Sequence, residues 1–138
     1  MDTRNLSNWV RKLAGTGDSR ERRAVLVSLE PILMGMEQLE RDILFPVLRR
    51  FIGFSEWMQE ACAHHGRFRE LFERARTTSD HERIIDITDE LVRRIATYVD
   101  GIERVLQPRL VQALSPIEYS ELRAKLQPKS FDRSRMSA

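Results

Sequence analysis

One short pattern is written twice in this chain, Ile43-Leu44-Phe45-Pro46-Val47-Leu48 and Val105-Leu106-Gln107-Pro108-Arg109-Leu110. Both copies fall late in long stretches of helical periodicity. Proline inside a helix costs about 3 kcal/mol relative to alanine, so a β-branched residue, Leu, any residue, Pro, any residue, Leu is a costly thing to repeat. Two long helices carrying the same late proline predict an antiparallel bundle in which alternate helices are related by an internal two-fold. The repeat also aligns positions further upstream. Glu40 and Met36 in the first copy correspond to Ile102 and Tyr98 in the second. The architecture is kept, and the interior chemistry is mostly replaced.

Helix punctuation is clear. Asp18-x-x-Glu21, Ser79-x-x-Glu82 and Ser115-Pro116-x-Glu118 read as capping boxes, the last with proline at the favoured first helical position. Ser55 with Glu56 marks a further helix start just after Gly53, a natural terminator. These signals predict a short helix over 3–14, helices over 19–52, 55–76 and 80–114, and a short terminal helix over 116–126. A polar tail from Pro128 is expected to lack fixed structure. The expectation is one domain over 1–127 with a tail over 128–138. Pro31 falls inside the second helix and predicts a kink or a break near Glu30.

The long helices carry apolar residues at helical spacing. The expected inner stripes are Leu29, Leu33, Met36, Ile43 and Val47 on the second helix and Met58, Ala61, Phe68, Phe72 and Ala75 on the third. On the fourth they are Leu91, Ile95, Val99, Ile102, Val105 and Leu106. Short connections force consecutive helices antiparallel. The fold expected is all-α, an up-down-up-down bundle of four helices with an abbreviated first helix and a short C-terminal one.

The charge balance narrows the function classes. A net charge of +2 is too small to argue for nucleic acid, and the arginines are scattered among acids. Apolar runs are far short of the roughly 20 residues a membrane span needs. The first residues, polar around Asp2, lack the apolar core of a signal peptide. Cys62 is the single cysteine, which excludes an internal disulfide and suits a reducing compartment. A cytoplasmic protein is expected. No glycine-rich phosphate loop, Ser-His-Asp set or cysteine-histidine pair at zinc spacing is present, so no enzyme activity is expected.

Two polar residues interrupt otherwise apolar stripes. Glu40 lies between Met36 and Ile43, and His65 between Ala61 and Phe68, so both point toward the interior. A buried carboxylate is costly unless paired or metal-bound. A glutamate and a histidine on neighbouring helices can satisfy one another, and they are also a fragment of a metal site. His64, one residue round, is expected at a helix boundary or in solvent, and His81 in the first turn of its helix is expected exposed.

Glu40-x-x-Ile43-Leu44-Phe45-Pro46, with His65 at the start of the next inner stripe, resembles the hemerythrin-like family, the HHE-type cation-binding domains. The resemblance covers roughly residues 3 to 115, and its sharpest part is the Leu-Phe-Pro block with Glu40. It implies a four-helix bundle which, in the family, holds two iron atoms with about five histidines and two carboxylates and in many members binds oxygen. Placed on this chain, the helix-one histidine falls near Thr3 and the helix-two histidine on Met36, with its glutamate kept as Glu40. The helix-three histidine is kept as His65, with His64 beside it. The helix-four histidine falls on Tyr98 and its carboxylate on Ile102, while Asp100 and Glu103 point elsewhere. Glu40 and His65 alone survive, too few for a di-iron centre.

Two readings of that pair follow from the resemblance. One is a vestigial mononuclear metal site. The other, which we prefer, is a hydrogen-bonded interior network of Glu40, His65 and Tyr98 beside Met36, filling the volume that iron occupies in the family. The function expected is a hemerythrin-like bundle that has lost its di-iron site, holds no cofactor and acts as a non-catalytic interaction or regulatory domain. The alternative keeps iron, as an oxygen- or nitric oxide-binding or iron-sensing protein with an unusual ligand set. A protein partner or self-association is expected, with neither nucleic acid nor membrane. The short first helix leaves room for a groove along the second and fourth helices. Either a second copy or partner helix fills it, or the 116–126 segment (Ile117, Tyr119, Leu122, Leu126) folds back over it. Trp9 and Trp57 are expected to pack, and Cys62 to be a small buried residue.

Overall fold

The structure, a computed structural model, describes residues 3–127; the tail expected over 128–138 lies outside the described residues. All regular structure among them is helical. The elements are α1 (Thr3–Ala14), α2 (Ser19–Leu39), α3 (Phe45–Leu48), α4 (Ser55–Thr77), α5 (His81–Gly101), α6 (Gln107–Ala113) and α7 (Pro116–Leu126). Two π-helical turns, Glu40–Leu44 and Ile102–Leu106, join α2 to α3 and α5 to α6 without a break in the helical path.

Most boundaries follow the caps read from the sequence. Asp18 accepts from the Glu21 amide at 2.8 Å, and Ser115 with Glu118 forms a complete capping box. Gly53, at φ 106°, occupies the left-handed region that a side chain resists, in the turn between α3 and α4. Two expectations need correction. The cap of α5 is Asp80, not Ser79, because the Asp80 carboxylate reaches the Glu82 amide at 3.0 Å. The helical path from Ser19 ends at Leu48 rather than at 52. Of the kink or break expected at Pro31, there is no break: α2 runs on through it to Leu39 with the proline ring exposed.

Specific pairs fix the helix directions. As the chain advances along α2 and into the first π turn through Glu30, Glu37 and Glu40, their partners on α4 retreat through Arg76, Arg69 and His65. These two helices are antiparallel. Along the same path through Ser19, Arg22 and Glu40, the partners on α5 advance through His81, Thr88 and Tyr98. Those two are parallel, as an internal repeat requires. Arg23 adds a cap from the side: it donates to the carbonyls of Ala75 (2.9 Å) and Thr78 at the end of α4, where helical carbonyls lack amide partners.

The two π turns sit at equivalent places in the repeat. The Phe45 amide reaches back to the Glu40 carbonyl, and the Gln107 amide to Ile102, one residue further than in an α-helix. Pro46 and Pro108 each follow the turn with one residue between, both exposed. A proline ring offers no N–H and clashes with the carbonyl four residues earlier, so a widened turn ahead of it relieves the crowding.

That extra residue re-aims the core face. Met36, Glu40, Leu44 and Leu48 are all buried, as are Tyr98, Ile102, Leu106 and Leu110. On a straight α-helix each four-residue step overshoots a full turn by about 40°, and the row would drift off the core. The π turn takes up the drift. Ile43 and Val47 are consequently only half-buried, and Val105 is exposed, contrary to the stripes expected from simple helical spacing.

The rest of the core comes from Leu6 and Leu13 on α1, Leu29 and Leu33 on α2, Trp57, Phe68 and Phe72 on α4, and Leu91 and Ile95 on α5. Trp57 meets Phe45 edge-on at 6.4 Å, and Trp9 is partly buried with Lys12 over its ring. Helix α7 folds back on the first π turn and α6, burying Leu122 and Leu126. Of its other apolar residues Tyr119 is half-buried and Ile117 is exposed. Cys62 is exposed, not buried, because it lies on the solvent side of α4 next to Ala61. No helix among the described residues is long and apolar enough to cross a membrane.

Candidate functional site

Glu40 is the first residue of the first π turn and has no solvent exposure. Its two carboxylate oxygens are engaged by different helices. Oε2 lies 2.5 Å from Nε2 of His65 on α4, and Oε1 accepts from the phenolic hydroxyl of Tyr98 on α5. Both donors are themselves buried. The three residues named for this network from the sequence therefore meet directly, and Met36, also buried, lies one turn before Glu40 on the same face.

Aromatic rings wall the carboxylate off. His65 and Tyr98 meet edge-on at 5.2 Å, and Phe68 packs edge-on against both, at 5.9 Å and 5.7 Å. In such a dry setting an unpaired carboxylate would carry a large desolvation penalty; two charge-assisted hydrogen bonds offset it. Tyr98 keeps its proton strongly. Burial pushes its phenol well above the ordinary range, and the adjacent Glu40 charge and hydrogen bond push it the same way.

His64 is half-buried where α4 meets α5, at a helix boundary, one of the two places expected for it. Its ring stacks on Phe68 at 6.2 Å and lies 6.0 Å from Tyr98. Its Nδ1 is buried and lacks a hydrogen-bond partner among the described residues. Burial first, then the charges of Arg94 and His65, hold the imidazole below its usual range. His81 is exposed as expected, and it also hydrogen-bonds the buried Ser19, tying the start of α5 to the start of α2.

Beside the network runs a second polar cluster that the sequence reading missed. Glu37 is buried against α4, receiving Arg41 at 2.6 Å and Arg69. Its signal was available. Glu37 stands one turn before Glu40 and Arg69 one turn after His65, so the two antiparallel helices that join the second pair must also bring the first together. Arg67 holds Glu90 in a two-pronged bond, at 2.5 Å and 2.7 Å, between α4 and α5.

The repeat mate of Glu40 is Ile102, fully buried and apolar. Position 102 therefore adds no ligand, and neither Met36 nor Tyr98 offers the imidazole of the family pattern. Asp100 and Glu103 are exposed, as expected of residues on other faces. Among the described residues no three His, Cys, Asp or Glu side chains gather as a metal-holding group. The donors present do not fit a pair of iron ions. Comparison of the chain with protein-family models, with curated proteins and with solved structures finds no match.

Proposed function

We propose that this chain is a hemerythrin-like, up-down four-helix bundle whose di-iron centre has been replaced by the Glu40–His65–Tyr98 network, and that it works as a non-catalytic interaction or regulatory domain. The observation that carries the reading is the engagement of both oxygens of Glu40. It is the one carboxylate at the repeat-related interior positions, and each of its oxygens has a donor. A carboxylate with no solvent exposure is thereby compensated by protein donors alone, without calling on a metal ion.

Three further features support the reading. The parallel relation of α2 and α5, and the antiparallel relation of α2 and α4, suit a bundle with an internal two-fold. The matched π turns at Glu40–Leu44 and Ile102–Leu106 keep the repeat where its chemistry has diverged. The exposed Val27, Ile52, Val111 and Ile117 give the surface apolar contact points beyond what the core uses. The exposed Cys62 thiol suits a reducing, cytoplasmic setting.

Metal analysis with an absorption spectrum, on protein purified aerobically from iron-supplemented medium, tests the proposal. It predicts iron far below stoichiometric and no charge-transfer band. Stoichiometric iron with such a band would favour the rival, an iron-dependent oxygen- or nitric oxide-binding or iron-sensing protein.

A further inference from the structure

The outward face of α2 is free of charge over a length that is unusual in a chain with 32% charged residues. Val27, Ser28, Pro31, Met34 and Gly35 recur at helical spacing on that face and are all exposed, Val27 at 74% and Met34 at 38%. No other element covers them. The acidic residues in this part of the helix, Glu30 and Glu37, lie on the flank turned toward α4, where Arg76 and Arg69 hold them.

We propose that this face is a homodimer interface, in which a second copy of the chain lays its own α2 antiparallel across the first with the two-fold axis at Pro31. The inference does not depend on the fate of the buried network. It rests on the apolar contact and the charge pairing that this register creates. An antiparallel pairing about Pro31 sets each residue at the level of the one equally far on the other side. Val27 and Met34, seven residues apart, share one flank of the face, so Val27 of each copy meets Met34 of the other, while Ser28 and Gly35 on the opposite flank leave room for close approach.

The charges agree. The uncharged face is bounded by Arg20 at one end and Asp42 at the other, both exposed and both eleven residues from Pro31. At 1.5 Å per residue each lies roughly 16 Å from the axis, in opposite directions. The two-fold therefore places Arg20 of each copy beside Asp42 of the other. A parallel pairing would set Arg20 on Arg20 and Asp42 on Asp42. The Asp42 carboxylate already accepts from the Gln38 amide, one turn back on the same face. Val27, Pro31 and Met34 supply apolar burial, while the exposed ion pairs set direction and register. The interface is isologous, as closed two-fold dimers require.

Sedimentation velocity of the full chain from low micromolar to submillimolar concentration tests this. The proposal expects a concentration-dependent dimer. Val27→Asp, at an exposed site, should be monomeric over the same range with an unchanged far-ultraviolet circular dichroism spectrum. Arg20→Asp should weaken dimerisation by about tenfold or more, since it spoils two symmetric pairs, and the swap Arg20→Asp with Asp42→Arg should restore it. A parent chain that stays monomeric throughout overturns the proposal, and so does a dimer that Val27→Asp leaves intact. An Arg20→Asp effect that the swap fails to restore overturns the antiparallel register.

Discussion

Tyr98 donates its phenolic hydrogen to Glu40 from the position that the internal repeat pairs with Met36. Equivalent sites on two parallel helices thus carry different chemistry. One supplies a buried donor and the other a buried apolar side chain, and with His65 the donor engages both oxygens of a carboxylate that has no solvent exposure.

If Glu40 and His65 satisfy each other in the interior, removing one partner strands the other. Glu40→Ala should lower stability by several kcal/mol, on the order of 3–5 if the pair is charged. Replacing Glu40 and His65 together with Leu or Met should be much milder, because no polar group is left unpaired between them. Denaturant unfolding of the single and double variants measures this. Equal damage from both would show that the two are not energetic partners.

Tyr98 should make the fold sensitive to alkali. Its folded-state pKa is raised, so the folded protein holds a proton that the unfolded chain releases near the ordinary tyrosine value of about 10. The stabilisation is complete below that pH and is lost progressively as pH climbs above it toward the folded value. Unfolding free energy should therefore fall above pH ~10 in the parent more steeply than in Tyr98→Phe. Parallel slopes for the two proteins would contradict the burial and proton retention of Tyr98.

The π turn makes an opposite forecast for two adjacent residues. Leu106 is fully buried and Val105 is 38% exposed. Leu106→Ala should cost about 2–5 kcal/mol, as buried large-to-small changes do, while Val105→Ala should stay within about 0.5 kcal/mol. Thermal or denaturant unfolding separates them. Comparable losses at both positions would argue for a straight α-helix with both residues on the core face.

What the sequence made legible was whatever depends on local signals. Caps such as Asp18 and Ser115, the Gly53 turn and the apolar stripes up to Met36 are written in short-range residue choices. Glu40 and His65 were legible because a polar residue in an apolar row has few ways to be satisfied. The π turns were not, since helical spacing assumes one constant pitch. The errors in the late stripes, Ile43 and Val47 in place of Leu44 and Leu48, and Val105 beside the correctly placed Leu106, trace to the one residue inserted at each π turn. Cys62 was misplaced for a different reason. It lies beside the inner-stripe residue Ala61, and about 100° of rotation decides between core and solvent. Only the packing of α5 against α4 resolves that choice.

The proposed loss of a metal centre by substitution at positions 36, 98 and 102 is tested by restoring the donors there. Glu40, His65 and Tyr98 already converge, and Met36 and Ile102 are buried one turn away on α2 and at the start of the second π turn. Met36→His, Tyr98→His and Ile102→Glu together add three ligands to the two that remain. Iron content of the parent and of the triple variant, purified side by side and checked for helicity, is the measurement. The account predicts near-stoichiometric iron in a folded variant and little in the parent. A folded variant holding no more iron than the parent would contradict it, since positions 36, 40, 65, 98 and 102 would then not surround one volume.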